Sequence, residues 1–232
     1  NLGNAQVIQL VGLYMLQSSG IHGPVLGPVG SLVVDLILLG VVFWCFLSPD
    51  MRRIPNVITL VSLVAGISLL RVLMAPLPNI QPVSVAAILV GAQLGIRRGI
   101  SFAILVSLTS NLFLGDGIWT LYQALGWSTL AVIGSASGIV KNNQLNLKTG
   151  YIISVLSAFL FGIITSLSVI GTLSLAEFYS YWINGLPYDL LHGLGNLTFM
   201  AWTGAWFNRQ LSYQQQLENM EQRAVETYAI RT

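Results

Sequence analysis

Apolar residues in this chain come in long, nearly unbroken runs, separated by short breaks that carry its prolines and most of its basic residues. Ser31–Leu47 is the first clear run, followed by the break Ser48–Asn56 with Pro49, Pro55 and the pair Arg52/Arg53. Val57–Ala75 ends at the proline-rich Pro76–Pro82, and the short runs Ser84–Ile96 and Ile100–Leu114 are split by Arg97-Arg98-Gly99. Trp119–Val140 and Tyr151–Leu173 flank the polar loop Lys141–Gly150, and Tyr188–Phe207 precedes a Gln/Glu-rich tail. A helix needs about 20 apolar residues to cross the hydrocarbon, and these runs approach that length. A membrane β-barrel would instead show alternating segments of about 10 residues. The pattern therefore predicts an all-α integral membrane protein, a six-helix transmembrane bundle with an extra N-terminal transmembrane helix. Val7–Leu16 is too short to span and reads as an interfacial or re-entrant helix.

Charge gives these runs a direction. Arg52, Arg53, Arg97, Arg98, Lys141, Lys148 and Arg209 sit at alternate ends, with Asp116, Glu177 and Asp189 in the gaps between. Because cytoplasmic loops carry the Lys/Arg excess, the basic ends are expected inside and Pro76–Pro82, Asn111–Gly117 and Leu175–Pro187 outside. The N-terminus then lies outside and the tail in the cytoplasm, in a multi-pass protein of the cell membrane. Three segments follow: an extension over 1–50, a core over 51–209 and a cytoplasmic tail over 210–232.

Composition narrows the function classes. Of 232 residues, 54% are hydrophobic and 8% charged, against roughly 25% charged in soluble domains. A formal charge of +2 is too small and scattered for nucleic acid. Asn1 to Tyr14 lacks the basic region of a signal peptide and reads as mature protein. The single Cys45 excludes an intrachain disulfide, no Cys/His/Asp/Glu spacing supports a metal site, and no Walker A pattern occurs. Any ATP-driven step requires a partner.

Polar residues at membrane depth are expensive to keep and mark functional positions. Here they gather at the outer ends: Arg71, Asn79 and Gln81 between prolines, Asn111, and Asp116 between Gly115 and Gly117. Trp119, Tyr122, Gln123 and Trp127 recur at i, i+3, i+4 and i+8 on one helical face; Asp189, His192 and Asn196 recur at i, i+3 and i+7 on another. The two stripes are expected to face one another across an outward-opening, aromatic and amide-rich cavity. As a bland alternative, the aromatics anchor the interface and the polar groups merely tie helices together.

Gly134-Ser135-Ala136-Ser137-Gly138 and His192-x-x-x-Asn196 resemble the nucleophile and His/Asn motifs of rhomboid proteases. Ser137 is expected near the inner end of its span and His192 near the outer end of another, too far apart for a nucleophile and its base. The small residues around Ser135 read instead as close helix packing.

Pro78-Asn79-Ile80-Gln81-Pro82, the paired short spans around Arg97-Arg98-Gly99, the segment Ser110 to Thr120 and Leu186-Pro187-Tyr188-Asp189-Leu190-Leu191-His192-Gly193-Leu194-Gly195-Asn196 resemble the substrate-binding S component of energy-coupling factor transporters, most closely its cobalamin-type members. The resemblance covers about Ile54 to Arg209. It implies a non-enzymatic subunit that captures a vitamin in an outward-facing pocket and delivers it inward by toppling. Its partners would be a transmembrane coupling subunit and two ATPase subunits. Pro76–Pro82 and Asn111–Gly117 would gate the pocket. Ser62-x-x-x-Gly66, beside Ala65, stands where family members usually carry an Ala-x-x-x-Ala docking face, and Ser31–Leu47 is additional to the family pattern.

On this reading Arg71, Asn79, Gln81, Asn111, Asp116, Trp119, Tyr122, Gln123, Asp189, His192 and Asn196 face the ligand, and no cofactor serves catalysis. Arg71 is expected to neutralise either Asp189 or a ligand phosphate or carboxylate. Cobalamin is the favoured ligand, with a flavin, a pterin or a purine-like base such as a queuosine precursor as alternatives. The rival from another class is a structural or assembly membrane protein.

Overall fold

The computed structural model describes residues 19–20, 23–24, 26–52 and 54–231. The helix expected over Val7–Leu16 lies outside them. The protein is all-α, with 83% of the described residues helical. Two-residue hairpins, β1 (Ser19–Gly20) with β2 (Gly23–Pro24) and β3 (Val140–Lys141) with β4 (Gln144–Leu145), are the only strands among the described residues.

The helices are α1 (Pro28–Phe46), α2 (Ile54–Leu73), α3 (Val83–Leu94), α4 (Ile96–Leu114), α5 (Ile118–Ala136), α6 (Leu147–Ser166), α7 (Leu175–Phe199) and α8 (Ala205–Arg231). Met200–Gly204 is a π-helical turn that joins α7 to α8 without a break. Local signals explain the ends. Pro28 opens α1 at a position where its missing N–H has no intrahelical partner to lose. Between α3 and α4 the chain turns at Gly95, whose φ of 87° is left-handed and needs no Cβ. Arg97 and Arg98, expected as the break, instead lie in the first turn of α4. Asn146 caps α6, its side chain accepting from Thr149 N at 3.2 Å.

The expected outer loop Leu175–Pro187 is helical, and this corrects the sequence reading. A capping box starts α7: Ser174 Oγ accepts from Glu177 N at 3.4 Å, and Glu177 Oε2 accepts from Ser174 N at 2.8 Å. Ser174 Oγ, which donates to Glu177 Oε2 at 2.7 Å, and then Ser174 N hold the Glu177 carboxyl below the usual glutamate range, so the cap is complete at neutral pH and is lost on acidification through that lowered value. Pro187 sits inside the helix, where it removes one backbone donor without ending it.

Helix α3 is the centre of the bundle, with ten of its twelve residues buried. At about 1.5 Å per residue it is only about 18 Å long. It packs against α5 at backbone distance, because a Cβ on Gly91 would overlap the carbonyl of Ala131 and one on Gly134 would overlap that of Ile88. Helix α4 packs against both members of this pair, α2 packs on α4, and α6 packs on α7. Helix α1 lies outside, seating Val34, Leu38 and Val42 against Ile104 and Ala124 on α4 and α5. At the far end of α3, Gln93 Nε2 donates to Asn208 Oδ1 at 2.6 Å and Ser212 Oγ at 2.7 Å, while Asn208 Nδ2 donates to Asn143 O at 3.0 Å. These bonds fasten α8 and the β3–β4 turn to the bundle.

Polarity is turned outside in. Leu36, Phe43 and Trp44 on α1, Leu112 on α4, Leu156 on α6 and Leu194 on α7 are exposed, whereas Arg71, Asn111, Asp189, His192 and Asn196 are buried. Among the described residues, two helical segments, Pro28–Phe46 and Leu147–Val169, are long and apolar enough to cross a membrane.

Gly134→Val should wedge α3 from α5 and cost on the order of 3 kcal/mol, read as a lower midpoint of thermal unfolding in detergent. Gly66→Val, at a position with no atom within 4 Å of an added Cβ, should leave that midpoint nearly unchanged.

Candidate functional site

Arg71 occupies the last turn of α2, and its guanidinium is buried with only 4% of the residue exposed. Nε donates to Gln81 Oε1 at 3.3 Å, Nη1 to Asn111 Oδ1 at 2.7 Å and to Ser110 Oγ, and Nη2 to Gln123 Oε1 at 3.2 Å. Arg71 Cζ also stands 4.9 Å from the centroid of the Trp127 ring, a cation–π contact. Every one of these partners is electrically neutral. A second layer holds the acceptors in place: Asn111 Nδ2 donates to Gln123 Oε1 at 2.9 Å and to Thr120 Oγ1 at 2.8 Å.

Beside this cluster, Ser84 in the first turn of α3 accepts from Trp127 Nε1 at 3.2 Å and lies 2.8 Å from His192 Nε2. Phe161 of α6 sits between these rings. It stacks on Trp127 with centroids 4.9 Å apart and meets His192 edge-on at 5.2 Å. The aromatic stripe of α5 and the polar stripe of α7 therefore meet through a third helix.

These groups surround a cavity of about 240 Å³. It lies over the N-terminus of α3, whose Val83 and Ser84 line it, because so short a helix leaves the upper end of the bundle unfilled. The loops that follow α2 and α4 form its rim, contributing Ala75, Asn79, Gln81 and Gly115. Asn79 adopts a left-handed φ of 60°, and its Nδ2 donates to Tyr188 O at 3.2 Å, which pins the rim to α7.

Of the positions singled out from the sequence, the structure brings Arg71, Asn79, Gln81, Asn111, Trp119, Gln123 and His192 together around this cavity. Four others do something else. Asp116 Oδ1 accepts from Gly117 N at 2.9 Å and from Thr120 Oγ1, tying down the start of α5. Tyr122 is half-buried on α5 and does not line the cavity. Asp189 places its carboxylate against Gly162 of α6, and Arg71 is not among its hydrogen-bond partners. Asn196 Nδ2 donates to Ser154 O at 3.1 Å and Ser157 Oγ at 3.3 Å, a tie between α7 and α6. Of the partners expected for Arg71, a ligand anion or Asp189, Asp189 is not among those it bonds.

Ser84, Ser110 and Phe161 are additions that no sequence signal singled out, whereas Trp127 already belonged to the α5 stripe. Ser137 Oγ donates to Gly134 O at 2.9 Å, near the end of α5 remote from the cavity, and the hydroxyl beside His192 is that of Ser84. Ser62, Ala65 and Gly66 are exposed together on α2. Among the described residues, no group of three or more His, Cys, Asp or Glu could hold a metal ion.

A family model described as a family of unknown function, DUF6580, matches residues 51–216, well over half of the chain. The chain belongs to the DUF6580 family. The DUF6580 match contains every residue that lines the cavity and leaves α1 outside. No curated protein matches the chain, and no solved structure does.

Because Asp116 and Asn196 serve the scaffold, Asp116→Ala and Asn196→Ala should each lower thermal stability by about 1 kcal/mol. Differential scanning fluorimetry of the purified variants checks this.

Proposed function

We propose that this protein is a membrane-embedded capture subunit that binds a small planar micronutrient near the outer face and delivers it inward with partner subunits, in the manner of the S components its sequence resembles. The observation that carries this reading is the cavity itself: a buried guanidinium, two indoles and several amides collected at one end of a bundle with an apolar exterior. Concave, largely aromatic pockets with a few placed polar groups are the usual form of small-molecule sites.

The surroundings support a multi-pass arrangement. Exposed leucines and aromatics on α1, α4, α6 and α7 suit contact with lipid, while the buried polar groups avoid it. Arg97, Lys141, Lys148 and Arg209 are exposed at the end opposite the cavity. By the positive-inside rule that end is cytoplasmic and the cavity opens outward, with the tail inside. The subunit itself hydrolyses nothing on this reading, and ATP is consumed by partner ATPases acting through a coupling subunit. Ser62, Ala65 and Gly66 offer an exposed small-residue patch on which a partner helix can approach closely.

Cavity size narrows the ligand. An apolar cavity of roughly 150 Å³ holds a benzene, and drug-sized ligands occupy pockets of roughly 300–1,000 Å³. A volume of about 240 Å³ favours a one- or two-ring compound, such as a base-like or pterin-sized vitamin, and counts against a corrinoid.

Purified protein incubated with a panel of vitamins and bases, cobalamin included, should show one ligand that raises the unfolding midpoint. Saturation at about 100 times Kd corresponds to roughly 2.7 kcal/mol of added stability. Trp119→Ala should weaken that ligand at least tenfold, whereas Asp116→Ala and Asn196→Ala should bind it normally. Gly66→Val should abolish cellular uptake without affecting binding. If no panel member shifts the midpoint, the capture reading falls and a scaffolding role for the polar groups takes its place.

A further inference from the structure

Among the described residues that line the cavity, Arg71 is the only Lys, Arg, Asp or Glu. Its charge is buried, and its four hydrogen bonds go to two glutamines, an asparagine and a serine. A buried cation whose partners are all neutral is an expensive arrangement, because dipoles offset only part of the lost hydration. Resting on the capture reading above, we infer that the ligand supplies the missing charge: the cavity selects a flat ring that carries a single carboxylate, with Arg71, whose Nη2 keeps one N–H, as its counter-charge.

Three further features point the same way. Gln123 Oε1 accepts from both Arg71 and Asn111, so what that side chain has left for a ligand is N–H, and Gln81 Oε1 also accepts from Arg71 while its own N–H groups stay available. A carboxylate accepts hydrogen bonds and donates none, and therefore suits a wall made of donors. Helix α3 begins at the cavity with no side-chain hydrogen bond capping it, and the positive end of its dipole adds to the guanidinium field. Trp119, Trp127 and Phe161 supply faces and edges for a ring.

Charge balance separates a carboxylate from a phosphate. One guanidinium and a monoanion sum to zero inside the protein. A phosphate monoester carries about −1.5 to −2 at neutral pH and would leave unbalanced negative charge buried. The cavity volume of about 240 Å³ likewise suits a single substituted ring.

The test uses the full chain in detergent micelles and three probes of one shape: benzoate, benzamide and phenyl phosphate, each titrated calorimetrically. Benzoate should bind about tenfold or more tightly than either of the others. Gln123→Glu places a carboxylate at the atom that already receives Arg71 Nη2, so it should abolish benzoate binding while maintaining or raising the unfolding midpoint. Arg71→Lys, which keeps the charge, should retain benzoate preference over benzamide. Equal affinity for benzamide and benzoate, or undiminished benzoate binding by Gln123→Glu, overturns the inference. A vitamin that binds while benzoate does not would sink the carboxylate assignment and leave capture standing. If neither the panel nor the probes bind, both fall.

Discussion

Two glycine contacts set the geometry on which everything else depends. Gly91 and Gly134 let α3 and α5 touch backbone to backbone, each glycine under a carbonyl of the other helix. Only at that distance can a twelve-residue helix be enclosed on nearly all sides by its neighbours. Once it is enclosed, its shortness becomes useful. The neighbouring helices α4, α5 and α6 run to 19 or 20 residues, and the difference in length leaves a space above the first turn of α3. Loops at the same end curl over that space, and side chains from α2, α4, α5, α6 and α7 point into it. The cavity is thus a consequence of helix length and close packing, and the polar side chains furnish it.

Those furnishings are organised around a single charge. Asn111 illustrates the economy of the arrangement: its oxygen receives Arg71, while its nitrogen holds Gln123 and Thr120 in place. Thr120 is in turn bound by Asp116. A residue expected to meet a ligand instead stands three hydrogen bonds behind the guanidinium, fixing the helix start that presents the aromatic face. Ser84 plays a comparable joining part between Trp127 and His192.

Much of this was legible in the sequence because hydrophobic runs and helical spacing are local signals. The helices lie close to the expected runs, and the stripe Trp119, Gln123, Trp127 does line the cavity. What escaped depends on local chemistry or on long-range packing. The Ser174-x-x-Glu177 capping box starts a helix in the segment Leu175–Pro187, expected as an outer loop between two apolar runs. Asp189, His192 and Asn196 share one helical face, yet only His192 reaches the cavity, because the helix extends across levels at which Gly162, Ser154 and Ser157 are the neighbours. Ser84 and Phe161 carried no sequence signal, since an isolated serine or phenylalanine in an apolar run reads as packing until its neighbours are known. The volume of the cavity had no sequence correlate at all.

The π-helical turn at Met200–Gly204 has its consequence further along the chain. Buried positions from α7 into α8 run Asn196, Met200, Gly204, Asn208 and Ser212, one every four residues. In a regular α-helix each residue turns about 100°, so a four-residue step overshoots a full turn by about 40° and the four steps from Asn196 to Ser212 drift by about 160°, nearly half a revolution. A π-turn holds one residue more than an α-turn and takes back about 100° of that drift. It acts as a phase correction: the helical rod emerges on the far side of the bundle with its polar stripe still facing Gln93 rather than turned away from it.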